Sequence, residues 1–379
     1  MKLRDLALAA TLLSTTVTTV SADGVKSWRH IGQFAQWYSQ YGFAFQKLLA
    51  EKCEVEYGHY LYDNPTNAII YWEEGGGTAN TLVQPVVSCL LDHMPQFIMS
   101  NMQSAQVLLG LTPTILAILG ASTEESATLV VVGQRPFLSL MLALGSPSVY
   151  LSRAFEFKDP VEVLSKRRPQ HYRPGTKTRR PIFHAIMVIL QYMTAFAATA
   201  NVSILAYELG TRAICLYASE WILIPSIWSV TVILIYLVGF GWHRLCVQRV
   251  KEGNTPETWV LFLRRRITCE FRLSVNNGPV KVKTAEERKL YIIIGWMLSV
   301  SCVLHIIFGT LTLSSMLFIG PRDAVQVIGR FAASGLLCRV ITMYELAGLR
   351  ENYVPVDTVD KDSMAGGSLG LSRLDSITW

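Results

Sequence analysis

Apolar residues in this chain gather into long unbroken runs, and charged residues gather between them. Three runs, at 182–207, 221–242 and 291–320, each hold the roughly 20 apolar residues that a helix needs to cross about 30 Å of hydrocarbon. Lipid offers no partner to a backbone amide or carbonyl, so such runs are expected to be helices. A fourth, QSAQVLLGLTPTILAILGA at 103–121, supplies nineteen residues with two glutamines and no charge. Pro113 inside it predicts a kink.

Two further apolar stretches fit less well. FLSLMLALGSPSVYL at 137–151 has only fifteen residues, and Gly145 and Pro147 break its later half, so it is expected to be a short re-entrant or interfacial helix started by Pro136. AVQVIGRFAASGLLCRVITMYELAGLR at 324–350 carries Arg330, Arg339 and Glu345. Each arginine costs about 2.5 to 3.5 kcal/mol near a helix centre, against about 0.3 to 0.6 gained per Leu, Ile, Phe or Val. That sum opposes a lone crossing and favours a helix at the interface or buried among neighbours. The fold class is thus an all-α integral membrane protein with about four spans, one or two short re-entrant or interfacial helices, and a small extracytoplasmic N-terminal region.

Charge then orients the chain. The segment 153–180 holds nine Lys or Arg against three acids, and 243–290 holds eleven against five, so both basic loops are expected in the cytoplasm. The region 23–100 carries eight acids and four basic residues, in keeping with the opposite side. Residues 1–22, with Lys2 and Arg4 ahead of an apolar run and small residues before Asp23, have the build of a signal peptide, an uncleaved anchor being the alternative. Localisation in the secretory pathway or plasma membrane follows from either. The multi-pass region is drawn over 101–350, and 351–379, rich in small polar residues, as a disordered tail.

Composition adds that half the chain is hydrophobic (51%) and only 16% charged, too little charge for a soluble domain of this size. The bilayer is the expected partner, with anionic lipids at the basic loops, among them Arg264, Arg265 and Arg266, and a homo- or hetero-oligomer as a further partner. Nucleic acid is not expected.

In the N-terminal region, Ile31, Phe34, Trp37, Tyr38, Tyr41, Phe45 and Leu48 recur at helical spacing and predict an amphipathic helix. Cys53 and Cys89 are its only cysteines and form the expected disulfide. On the basic side, Ile267, Cys269, Phe271, Leu273 and Val275 alternate with polar residues, and after NNG come Val280 and Val282, which predicts a hairpin that Pro279 weakens.

Chemistry is sparse. The seven histidines show no metal-ligand spacing with one another or with cysteine, no cofactor is implied, and no nucleophile elbow, zinc-protease motif or Walker loop occurs. The intramembrane polar candidates are Arg135, His305, Arg330, Arg339 and Glu345. Arg135 is expected to reach the headgroups from the end of its short helix, a buried cation facing a pocket being the alternative. His305 is expected to bond a neighbouring helix. Asn201 heads an N-V-S sequon, but it lies too near the membrane for modification.

QVLLGLTPTILAILG, QRPFLSLMLALGSP and RFAASGLLCRVITMYELAGLR resemble segments of a family of multi-pass membrane proteins of filamentous ascomycete fungi. The resemblance covers roughly 95–350 and implies a fungal secretory or plasma membrane, but no reaction and no catalytic residue. The functional expectation is a non-enzymatic receptor-like, scaffold or accessory component. A transporter or channel subunit is the alternative, followed by a membrane enzyme or accessory protein of secondary metabolism.

Overall fold

The computed structural model describes residues 32–62, 83–147, 149, 164, 181–219, 221–249, 264, 267–276, 280–284 and 289–354. The expected leader at 1–22, nearly all of the basic segment 153–180 and the tail beyond residue 354 lie outside them.

Helices dominate, as the apolar runs require. In chain order they are α1 (Gly42–Glu51), α2 (Glu54–Tyr62), α3 (Val83–Asp92), α4 (Gln96–Gly110), α5 (Thr112–Leu119), α6 (Thr123–Val131), α7 (Pro136–Gly145), α8 (Pro181–Arg212), α9 (Ile224–Cys246), α10 (Lys289–Ser314) and α11 (Pro321–Asn352). Five stretches are long and apolar enough to cross a membrane: Gln96–Leu119, Ile182–Arg212, Ile224–Leu245, Tyr291–Ser314 and Pro321–Asn352. The chain is a helical membrane protein.

Several boundaries differ from the expectation. The run at 103–121 belongs to a helix that starts earlier, at Gln96, and is interrupted at Leu111. There Pro113, in the first turn of α5, has no N–H to continue the ladder. The run at 291–320 stops being helical at Ser314. The 324–350 stretch forms one helix of 32 residues, so the tail does not begin at 351: α11 continues through Asn352, and Tyr353–Val354 is a strand. α7 is ten residues long, roughly 15 Å, half a bilayer core.

The chain divides into two units. The first comprises residues 1–108, 207–224 and 315–325. The N-terminal region is therefore not self-contained: Phe318, from the α10–α11 connection, sits fully buried in its aromatic core, with Trp37 and Phe45 each 5.3 Å away edge-on. Strands β1 (Ile214–Cys215) and β4 (Met316–Leu317) pair antiparallel in this unit. The amphipathic helix expected from Ile31 begins only at Gly42, and 32–41 run as turns and coil. The reason is local. Ser39 Oγ and the Gln40 amide donate to the two carboxylate oxygens of buried Asp323, while Gln40 Oε1 accepts from the Arg322 amide. The Arg322 bond satisfies one first-turn donor of α11, and the three together hold 39–40 out of a helix. Phe34 and Phe318 both take positive φ, 65° and 64°, a costly conformation for bulky residues that their burial in this core maintains.

The second unit comprises 109–206, 225–314 and 326–379. Its apolar core runs from Leu129, Leu138 and Leu142 through Ala195, Val232 and Leu298 to Cys338 and Leu349. α6 begins with a full capping box, Ser122 and Glu125 each bonding the other's backbone amide. Strand β3 (Val280–Thr284) lies between β2 (Val247–Arg249), antiparallel, and β5 (Tyr353–Val354), parallel. The expected hairpin is therefore wrong in its first arm. Residues 267–270 are helical and 274–276 form a 3-10 turn, and the partner of Val280–Thr284 comes from the end of α9 instead. The apolar alternation along 267–275 does not track burial, since Ile267 and Phe271 are exposed while Leu273 and Val275 are buried.

Candidate functional site

The site grows from the turn between α6 and α7. Gln134 takes φ 58°, and Pro136 then starts α7, which leaves Arg135 in a non-helical conformation at the cap position. Its side chain points inward and is 0% exposed, so the expected reach to the headgroups does not occur. A guanidinium held inside must be met by protein. Nη1 contacts Glu345 Oε1 at 2.7 Å and Gln191 Oε1 at 2.9 Å, and Nε donates to the Glu270 carbonyl at 2.8 Å. Among the described residues Nη2 has no hydrogen-bond partner. The Tyr192 ring lies 5.6 Å from the guanidinium carbon, in cation–π range.

Two glutamates bond this arginine, Glu345 through its carboxylate and Glu270 through its backbone carbonyl. Glu345, on α11, is also 0% exposed and accepts from four protein donors: Arg135 Nη1, Gln191 Nε2 at 2.6 Å, the Ser274 amide at 3.2 Å and Ser274 Oγ at 2.6 Å. Glu270 arrives from the α9–α10 connection. Its Oε1 accepts from the Leu138 amide and from Tyr192 Oη, both at 2.8 Å. The Leu138 amide is one of the first-turn donors that α7 cannot satisfy itself, so Glu270 caps α7 from a remote part of the chain.

The connection is held at further points. The Leu273 amide donates to His184 Nε2 at 3.1 Å, and Asn352 Nδ2 donates to the carbonyls of Ser274 and Val275 at 2.9 and 3.1 Å. Close approach requires Gly348, where a Cβ would come 2.6 Å from both the Val275 amide nitrogen and its Cγ2. Arg135, Gln191, Glu270, Ser274 and Glu345 thus knit α7, α8 and α11 to residues 270–276.

The other predicted polar residues lie elsewhere in the same unit. Arg339 pairs with Glu125, the capping-box glutamate of α6. Arg330 donates from Nε and Nη2 to Asn201 Oδ1 at 3.1 and 2.9 Å, and Asn201 Nδ2 returns bonds to the Arg330 carbonyl and Ser334 Oγ. His305 stacks on Trp228 with centroids 5.7 Å apart, and its Nδ1 lies 3.0 Å from Thr231 Oγ1 on α9. Gly309 admits that tryptophan, since a Cβ there would meet Trp228 Nε1 at 2.4 Å. A small cavity of about 30 Å³, room for a water or two, is lined by Ser126, Leu142, Ser146, Val232, Tyr236 and Cys338.

In the first unit, Cys53 and Cys89 are joined by a disulfide. His93 lies close enough to complete a three-ligand group with them, but a disulfide supplies no thiolate to a metal.

The structure brings Arg135 and Glu345 together and leaves Arg330, Arg339 and His305 in separate contacts. The sequence did not single out Gln191, Tyr192, Glu270, Ser274 or Asn352. A signal existed for three of them: Gln191 and Tyr192 are polar positions inside an apolar run, and Glu270 is the one acid between Arg264 and Arg272. No protein family, no curated protein and no solved structure matches the chain.

Proposed function

We propose that this chain is a non-enzymatic multi-pass membrane component, receptor-like, scaffold or accessory in kind, of a fungal secretory or plasma membrane. The observation that carries the reading is the use made of its intramembrane charges. Glu345 spends its oxygens on four protein donors, Arg339 on Glu125, and Arg330 on Asn201, so these groups hold helices to one another. A carrier or proton relay needs such groups to exchange partners with a solute. The disulfide-linked, aromatic-cored N-terminal region, whose acidic balance is in keeping with the outer side, supplies surface for recognition, and the basic loops face anionic lipid. The fungal resemblance of 95–350 agrees with this setting.

The experiment is reconstitution of the purified protein into sealed vesicles with ion and small-solute flux recorded. Flux equal to that of empty vesicles is expected. Flux that disappears in Glu345→Gln would replace this reading with that of a transporter, and a specific metabolite accumulating in a deletion strain would replace it with that of an enzyme.

A further inference from the structure

The segment pinned by Glu270 and Ser274 has a second side. Between the inward residues Glu270, Leu273 and Ser274, it turns Ile267 and Phe271 outward, 53% and 52% exposed, flanked by exposed Arg264 and Arg272. Large apolar residues held open beside arginines are the composition of a segment lying in a membrane interface.

Its position along α8 supports this. The Leu273 amide bonds His184, and Phe271 packs on Tyr192 at 5.3 Å, so the segment follows α8 for eight residues, roughly 12 Å. Over that same length α8 exposes Ile182, Phe183, Ile186, Ile189 and Leu190, the row that lipid must cover in a membrane helix. Tyr192 also stacks on Phe137, itself 54% exposed at the start of α7, with centroids 6.1 Å apart. Phe137, Tyr192 and Phe271 therefore form one aromatic cluster roughly 16 Å along α8 from Pro181, at the inner end of the stretch that the segment follows. The apolar face of the segment is continuous with the lipid-facing row, and exposed Arg264 and Arg272 flank it. Its fixed hydrogen bonds leave the outward residues no freedom to turn inward.

We infer that Ile267–Arg272 is a built-in interfacial anchor, with Ile267 and Phe271 among the acyl chains and Arg264 and Arg272 holding the headgroups of anionic lipids. This deepens the anionic-lipid reading above and rests on it, but stands apart from the question of flux. It also explains what the Arg135 cluster is for, since Glu270 and Ser274 hold the anchor at the depth where its exposed face meets lipid.

The test uses the full-length protein with Cys246→Ser and Cys269→Ser, and a fluorophore on Phe271→Cys, on Ile267→Cys, or on Glu351→Cys as an exposed control. Each is reconstituted in phosphatidylcholine vesicles with and without phosphatidylserine, and quenched by lipids carrying a nitroxide near the headgroup. Quenching several-fold stronger at 267 and 271 than at 351 is expected, and stronger again with phosphatidylserine. That preference should fall roughly five-fold for each of Arg264→Gln and Arg272→Gln, the equivalent of about 1 kcal/mol per basic residue at an anionic surface. Equal quenching at 271 and 351 overturns the anchor. A signal indifferent to phosphatidylserine overturns the headgroup assignment. Neither result alters the flux experiment, so the two readings fail separately.

Discussion

Arg135 is the cation that the buried Glu345 carboxylate pairs with, and that pairing makes a signed prediction. Arg135→Met removes the partner that Glu345 meets at 2.7 Å and the donor that binds the Glu270 carbonyl. The Glu345 carboxylate, 0% exposed, is then stranded without its cation. Breaking a buried pair in this way costs about 3–5 kcal/mol. Glu345→Gln is milder, about 3 kcal/mol, because glutamine still accepts from Ser274 and the Glu270 carbonyl still accepts from Arg135 Nε. The decisive variant is the double one. Adding Glu345→Gln to Arg135→Met removes the stranded charge, so it should restore about 1–2 kcal/mol instead of deepening the loss. Unfolding in detergent, followed by loss of the monodisperse chromatographic peak on heating, reads this directly. At roughly 2–4 °C per kcal/mol, Arg135→Met falls on the order of 10 °C and the double variant regains several degrees. Additive losses, or an Arg135→Met protein within about 1 kcal/mol of the parent, would refute the argument.

Four other outcomes follow from the same geometry. Gly348→Ala should cost about 1–3 kcal/mol in the same assay, because a Cβ would collide with the Val275 backbone; an unchanged melting temperature would show that residues 274–276 can back away. Cys53→Ser with Cys89→Ser should cost about 4 kcal/mol, the loop entropy for a separation of 36 residues, and a mass spectrum showing both thiols free in the parent would remove the cross-link. Asn201→Gln should produce no glycosidase-sensitive mass shift, since the Asn201 amide is occupied by Arg330 and Ser334 inside α8. Cysteines at Ser165→Cys and Ser363→Cys should both resist an impermeant thiol reagent in intact cells and both label after permeabilisation; labelling of one alone would break the proposed topology.

Much of the fold was legible because lipid imposes it. Runs such as 221–242 must be helical whatever their neighbours, so α9 could be drawn from the sequence to within a few residues. What pattern could not supply was the partner of a charge. Per-residue costs treat Arg330, Arg339 and Glu345 as facing lipid, and they undervalue the 324–350 stretch. In the structure each meets a side chain from another helix or loop, and α11 reaches 32 residues. Arg135 was misplaced for the same reason, since snorkelling is the only relief that a lone helix can offer. The 267–275 segment misled differently. Its apolar residues alternate in sequence but not in burial, with Ile267 and Phe271 exposed and Leu273 and Val275 buried, because a short helix and a 3-10 turn are pressed against a bundle by Glu270 and Ser274.

The strands settle which helix ends lie together, and this bears on the sides of the membrane. β1 follows α8 and pairs with β4, which follows α10, so those two helices end at a common place. β2 follows α9 and pairs with β3, which precedes α10, so α9 ends where α10 begins. β5 follows α11 and lies parallel against that same β3, so α11 ends there as well. α8 to α11 therefore alternate in direction. On the proposed orientation, with 243–290 in the cytoplasm, the four become outward, inward, outward and inward. On that proposal the alternation keeps the basic 243–290 segment inside, as the retention of Lys and Arg requires.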